Sequence, residues 1–240
     1  MPGSQYIALS GLRARADQLD RLASDIANIG TSGYKAERQS RSAAERPAFN
    51  DALQTAIDTS SGGTRLDMTD GALAPTGRPL DVALDGPGFF VVQTAAGDRY
   101  TRNGHFTQNT AGLLTTDDGS PVIGENGQPI NLGTGEIKIA DDGSITSGED
   151  PVGKLKVVTF ADPSQLTLDG TTLLSAGNQT PQTLDTPKIR DGSLEQSNVS
   201  MSGRLAELTS VSRGFEAMQK ALNLMMNDVD GKAIEQLGRR

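Results

Sequence analysis

The tetrapeptide Asp-Asp-Gly-Ser occurs twice, at residues 117–120 and 141–144, and is the first candidate for chemistry. Paired carboxylates beside glycine are found in calcium loops. A calcium loop, however, needs oxygen ligands at alternating positions and a distal bidentate acid, and neither stretch supplies them. Because Asp-Gly pairs favour tight turns, the sequence predicts two hairpin turns and no metal site.

The other reactive residue types do not combine into a catalytic motif. His105 is the one histidine, and since no Ser or Cys motif accompanies it, we expect a surface position at a strand end. Residues 86–88 (Gly-Pro-Gly) are followed neither by Lys-Ser/Thr nor by a predicted helix, which argues against a phosphate loop. Acid pairs such as Asp81 and Asp85 could serve glycoside hydrolysis, but only the abundance of acids supports that reading. The sequence therefore predicts neither an enzyme nor a cofactor.

The composition adds an acidic centre and excludes several classes of protein. The 240 residues carry a formal net charge of −8, and residues 47–193 hold nineteen acidic side chains against nine basic ones. A chain with an acidic middle and no basic patch is a poor nucleic-acid binder. There is no Cys, so disulfides and thiolate chemistry are excluded. No apolar run approaches the roughly 18–20 residues that span a bilayer, so we expect no membrane insertion.

The C-terminal region carries a long apolar repeat over residues 199–229. The repeat consists of Met201, Leu208, Phe215, Leu222 and Val229 at a spacing of seven, with Val211, Met218 and Met225 three residues after members of the row. A helix with this repeat presents one apolar face that requires a partner helix. Burying the row contributes about 8–15 kcal/mol, at about 1.5–3 kcal/mol per side chain. Because ordering the backbone costs about 1–2 kcal/mol per residue, the helix is not expected to be stable alone.

Residues 5–29 predict a second amphipathic helix, with Leu12, Leu19 and Ile26 again at a spacing of seven. Gly30 is expected to end it, since glycine adopts the left-handed cap conformation without strain. Each terminal helix lacks a partner nearby in the sequence, so we expect the two to pair as a coiled-coil-like α domain. An ordinary bundle, in which each end packs on the chain's own core, is the alternative.

The region between the helices predicts β structure. Short alternating apolar runs over residues 80–176 are separated by Asp-Gly and Asn-Gly pairs, which is typical of antiparallel hairpins. The sequence therefore predicts an α+β protein with a central antiparallel all-β domain. The four predicted segments are an N-terminal assembly helix and motif (1–35), an extended arm or linker (36–79), the central β domain (80–190) and a C-terminal assembly helix (191–240).

Collinear motifs along the chain resemble the signatures of bacterial flagellar rod and hook proteins. Residues 25–35 (DIANIGTSGYK) are similar to a motif that usually reads N-L-A-N-x-x-T-x-G-[FY]-K, with conservative departures at Asp25 and Ile26. The other motifs are DGPGFF (85–90), YTRNGHF (100–106), GSPVIG (119–124), SNV (197–199) and RGFEAMQK (213–220). In the last of these, Gly214 replaces the more usual Ala. The resemblance covers nearly the whole chain.

This resemblance implies a structural subunit of the flagellar basal body, part of the rod that crosses the periplasm and transmits torque. It implies self-association in a helical tube, contacts with other proximal and distal rod subunits, and export by the flagellar type III apparatus. The N-terminus has no recognisable Sec signal peptide, which fits that route. The length and the C-terminal end resemble a proximal rod subunit more than a distal one.

The residues expected at the assembly interface come from both helices and the N-terminal motif. They are Leu12, Leu19, Ile26, Asn28, Met201, Leu208, Phe215, Met218, Leu222 and Val229.

Two other classes of function stay open at this point. A carbohydrate- or protein-binding module would place its site on the β domain, although only nine aromatic residues exist to line it. A hydrolase would need a convergent pocket of acids with perturbed pKa values. Neither class explains two long apolar repeats at opposite ends of the chain.

Overall fold

The computed structural model describes residues 2–39 and 64–237, with side chains described over 9–38 and 64–224. Helix α1 spans Pro2–Ala27 and helix α2 spans Met201–Leu237. The strands are β1 Glu37–Gln39, β2 Thr64–Leu66, β3 Leu73–Pro75, β4 Val82–Leu84, β5 Phe89–Thr94, β6 Gly97–Thr101, β7 Thr107–Gln108, β8 Leu114–Thr115, β9 Ile137–Ile139, β10 Ser144–Ser147, β11 Asp150–Lys154, β12 Val157–Thr159, β13 Thr167–Leu168, β14 Leu173–Ser175, β15 Gln182–Thr183, β16 Ile189–Asp191 and β17 Ser193–Glu195. The expected arrangement, two terminal helices and antiparallel β structure between them, is confirmed at this level.

The contacts divide the chain into a helical unit, which contains α1 and α2, and a β unit of residues 28–38 and 65–199. The units group residues by contact, whereas the four segments predicted from the sequence are consecutive stretches of chain. Residues outside the predicted central domain, 28–38 and 65–79 before it and 191–199 after it, thus also belong to the β unit. Residues 40–63 of the predicted arm lie outside the described residues.

Within the helical unit, α1 and α2 pack against each other in antiparallel directions. Gln18 Nε2 donates to Glu207 Oε1 over 3.3 Å. Arg204 Nε lies 3.0 Å from Asp25 Oδ2, whose side chain is buried. Gly11 of α1 also lies close to Met218 of α2. Contacts of higher-numbered residues in α1 are thus with lower-numbered residues in α2, as in an antiparallel helix pair. No helix in the described part of the chain is long and apolar enough to cross a membrane.

The β unit is built around a six-stranded antiparallel sheet in the order β13-β14-β6-β5-β12-β15. Because successive side chains of a strand point to opposite faces, β5 contributes side chains to two apolar cores. Phe90 and Val92 lie in the larger core and Phe89 and Val91 in the smaller one. In the smaller core the rings of Tyr100 and Phe160 meet edge to face at 4.8 Å, and burial raises the pKa of the Tyr100 phenol, with nearby Asp98 acting in the same direction.

The two Asp-Asp-Gly-Ser stretches are tight turns, as the sequence predicted. Gly119 and Gly143 both have positive φ, 82° and 86°, which favours glycine over residues with a Cβ. The second turn joins β9 to β10, and there the Asp142 carboxylate accepts bonds from the backbone N–H and the hydroxyl of Ser144. Those bonds hold the pKa of Asp142 below its ordinary value.

The expectation that Gly30 ends α1 in the left-handed conformation is wrong. Gly30 is not in the left-handed conformation, and α1 ends earlier, at Ala27. His105 is partly exposed, and its Nδ1 lies 2.8 Å from Oδ1 of the fully buried Asp81. No local sequence pattern indicates that contact, because an antiparallel bridge between distant loops brings the two residues together.

Candidate assembly interface and its junction

The structure places most of the expected assembly residues in partly buried positions on the two helices. These are Leu12, Leu19, Ile26, Leu208, Phe215, Met218 and Leu222. Met201 is half exposed, and the side chain of Val229 lies outside the described residues. Asn28 is the first residue of the β unit, where its Oδ1 accepts a bond from the hydroxyl of Thr31 at 3.2 Å.

The helical unit leaves several large apolar side chains in solvent. Leu9, Met201, Leu205 and Leu224 are exposed by 60%, 50%, 46% and 70% of their surface. The fully buried apolar side chains among the described residues of α1 and α2 are only Leu22 and Val211. The helix pair of one chain therefore covers only part of its apolar surface, and a further apolar partner could cover the rest.

The β unit contains a buried ionic cluster that joins both terminal motifs to the central domain. We call Lys35, Arg102 and Glu195 the junction cluster. Lys35 Nζ lies 2.6 Å from Glu195 Oε1, and Arg102 Nη1 lies 3.1 Å from Glu195 Oε2. All three side chains are almost completely removed from solvent, by 94% or more. The N-terminal motif, the end of β6 and β17 thus meet at one carboxylate.

Each charge in the junction cluster has further partners. Gly71 N–H donates to Glu195 Oε1 at 2.9 Å, and Lys35 Nζ donates to the carbonyl of Thr69 at 2.7 Å. Arg102 Nη2 donates to the carbonyl of Gly86 at 2.9 Å, and the guanidinium lies over the Phe89 ring. Buried charges persist only when they are paired and hydrogen-bonded, and the removal of one partner is strongly destabilising.

Around the junction cluster, backbone and amide contacts hold the same segments together. Asn198 Oδ1 accepts the Ala36 N–H at 2.9 Å, while Asn198 Nδ2 donates to the carbonyl of Asp67 at 2.7 Å. A small apolar cluster of Tyr34, Ala36 and Val199 packs beside them. The N-terminal motif and the segment before α2 are therefore parts of one packed structure, although more than 160 positions separate them.

Gly33 has no room for a side chain at this junction. Its φ is +69°, and a Cβ would lie 2.2 Å from the backbone nitrogen of Asn103. The Gly33 N–H also donates to the carbonyl of Glu195 at 2.8 Å. The glycine of the N-terminal motif is thus required by the backbone conformation and by the close approach of another segment.

We expect Gly33→Ala to lower the free energy of unfolding of the β unit by more than about 2 kcal/mol. The left-handed conformation alone costs a residue with a Cβ about 1–2 kcal/mol, and the clash with Asn103 adds to that. Chemical denaturation of the purified chain measures the change. Gly30→Ala is the matched control, because a Cβ there meets nothing within 4 Å, and it should change stability by less than about 0.5 kcal/mol. Equal losses in both variants would contradict the packing described here.

The sequence drew attention to some of these residues but gave them no role. Lys35, Arg102 and Asn198 lie in stretches that resemble family motifs, yet Glu195 was not singled out. Buried charges are not visible in a hydropathy pattern, because a lysine or glutamate is usually exposed. In the described part of the chain, no three His, Cys, Asp or Glu side chains come together as a metal site would require.

Comparison with known proteins gives consistent matches along the chain. Residues 83–147 match the model of the flagellar hook protein FlgE/F/G D1 domain, and residues 190–233 match that of the flagellar basal body rod FlgEFG protein C-terminal region. The flagellar basal-body rod protein FlgF of Caulobacter vibrioides is 32% identical and aligns with 100% of this chain and 99% of its own length. FlgF of Salmonella typhimurium is 36% identical over 95% of each chain. The rod protein FlgG of Bacillus subtilis is 31% identical over 91% of this chain and 93% of its own.

Proposed function

Because the chain belongs to the family of flagellar basal-body rod proteins, we propose that it is a proximal rod subunit of the FlgF type. It is a structural subunit of the flagellar basal body and not an enzyme. The proximal assignment is supported by the FlgF relatives that align with the complete chain. A distal rod subunit of the FlgG type is the second candidate, since FlgG relatives reach similar identity over 91–92% of the chain.

The observation that carries the proposed role is the incomplete burial of the helical unit. Leu9, Met201, Leu205 and Leu224 remain exposed when α1 and α2 pack against each other. In the rod, we propose that these helices pair as a coiled coil and that neighbouring subunits cover the exposed apolar side chains. The assembly residues predicted from the sequence would then lie at contacts within and between subunits.

The remaining parts of the proposal concern the environment of the subunit. We propose that it is placed in the periplasmic part of the rod, between other rod subunits, and that it transmits torque across that layer. Passage through the flagellar type III export apparatus, without a Sec signal peptide, belongs to the same proposal. We propose that the β unit, which contains most of the acidic side chains, faces solvent in the rod and keeps the subunit soluble.

A deletion strain tests the rod role. Cells that lack this chain should be non-motile, and electron microscopy of their basal bodies should show rods that end before the proximal rod is complete. Expression of the chain from a plasmid should restore both. Complete rods in the deletion strain would overturn the proposed function, and rods that lack only their distal part would favour the FlgG alternative.

A further inference from the structure

The junction cluster joins three stretches of chain that are distant from one another in the sequence. Lys35 belongs to the N-terminal motif, Arg102 follows β6, and Glu195 ends β17. Glu195 is 1% exposed, and its two carboxylate oxygens take up both cations. If Glu195 moves out of the cluster, Lys35 and Arg102 therefore both lose their shortest ionic contact.

The neutral contacts around the cluster link the same stretches. The Gly33 N–H donates to the Glu195 carbonyl at 2.8 Å, and the Ala36 N–H donates to Asn198 Oδ1 at 2.9 Å. Two amides of residues 33–36 thus depend on acceptors in the segment that leads to α2. If residues 195–198 leave the β unit, these N–H groups lose their acceptors at the same time as Lys35 loses its carboxylate.

We propose that Lys35, Arg102 and Glu195 form a coupling device, so that residues 33–36 and 195–198 are ordered on the β unit together or not at all. A state with only 33–36 in place would leave the buried Lys35 without its carboxylate and Arg102 with only the exposed Asp70, 3.5 Å from its Nη2. A state with only 195–198 in place would leave the buried Glu195 with one of its two cations. Loss of a partner from a buried ion pair is strongly disfavoured, so both states are rare and the two segments share one opening equilibrium. Coupling of this kind is reciprocal: a change in either segment loosens the other.

The coupled segments are those that continue along the chain into the helices. Helix α1 ends at Ala27, six positions before Gly33, and α2 begins at Met201, just after 195–198. A subunit would therefore hold the end of α1 and the start of α2 together or release both. This consequence for assembly rests on the proposed rod function, whereas the coupling is a property of the isolated chain.

Hydrogen exchange of the purified full-length chain tests the coupling. Glu195→Gln should speed exchange of the amides in residues 33–36 by at least tenfold, although the substitution lies 160 positions away. Lys35→Met should speed exchange over residues 195–198 to a similar degree. The amides of residues 89–92, in the middle of the six-stranded sheet, should keep their protection in both variants. Glu125→Gln is the matched control, since that carboxylate is half exposed and lies 3.9 Å from Lys154, and it should leave all three regions unchanged.

Faster exchange confined to the neighbours of each substituted residue would overturn the proposal, because the two segments would then be ordered independently. If Glu195→Gln also exposes residues 89–92, the less disruptive Lys35→Met variant carries the test with the same two outcomes. A negative result would leave the rod function untouched, since the deletion strain tests that separately. Unchanged exchange in both segments would likewise rule the coupling out.

Discussion

A strain whose only copy of the chain carries Phe215→Asp should make a folded protein and yet stop rod growth at the layer of this subunit. Phe215 lies in the middle of the apolar row of α2 and is only partly buried in the single chain. If neighbouring subunits complete its burial, the substitution places a carboxylate in an apolar contact, which costs several kcal/mol per subunit. Motility on soft agar and electron microscopy of basal bodies measure the effect.

Two control variants separate an assembly defect from a folding defect. Glu216→Ala changes an exposed neighbour on the same helix and should leave motility normal. Val211→Asp replaces a fully buried side chain of the helical unit and should loosen the helix pair of the free protein, with a fall in helical circular dichroism. If Phe215→Asp lowers the helical signal of the free protein as much as Val211→Asp does, then Phe215 belongs to the subunit's own core.

The free energy of unfolding of the β unit should fall by about 3–5 kcal/mol in Glu195→Ala, the range measured when one partner of a buried ion pair is removed. Lys35 and Arg102 would then remain buried without their shared carboxylate. Chemical denaturation followed by the β-sheet circular dichroism signal measures the loss. A change below about 1 kcal/mol would show that water or other groups replace Glu195, and the junction cluster would then not be important for stability.

Glu125→Ala is the control for this measurement. Its carboxylate is 49% exposed and lies 3.9 Å from Lys154, so it resembles an ordinary surface ion pair. Such pairs contribute about 0–1 kcal/mol. Both substitutions remove the same chemical group, so the difference between their losses in free energy of unfolding measures the effect of burying the ion pair.

The general architecture could be predicted because it depends on local patterns. The seven-residue spacing of Leu12, Leu19 and Ile26 is visible in the sequence, and it predicts an amphipathic helix whatever the rest of the chain does. The Asp-Gly turns at 117–120 and 141–144 were predicted for the same reason, since the conformation of a tight turn is decided by the residues within it.

The features that were missed depend on long-range contacts. The helical pattern predicts that Gly30 ends α1, but the left-handed conformation is at Gly33, which also lies too close to the backbone of Asn103 for any Cβ. His105 and Asp81 meet only after two loops are brought together by the sheet. A glutamate such as Glu195 is expected at the surface, and it is buried here because Lys35 and Arg102, which are distant in the sequence, pair with its carboxylate.

The apolar residues of α2 differ in how far the packing within one chain buries them. Val211 is fully buried within the helical unit, whereas Met201 and Leu205 are half exposed there. The sequence repeat alone does not separate the two groups, because contacts within a subunit and between subunits use the same apolar spacing. We therefore expect the contacts between subunits to be clearest at the exposed Met201 and Leu205.

A density map of the rod in intact basal bodies, at a resolution that shows side chains, would show which parts of the subunit make the contacts between subunits. We expect α1 and α2 of this subunit to lie in the wall of the tube, with Met201, Leu205 and Phe215 in contact with apolar side chains of neighbouring subunits. If those three side chains faced solvent and the subunits touched one another only through their β units, the terminal helices would not be the assembly interface.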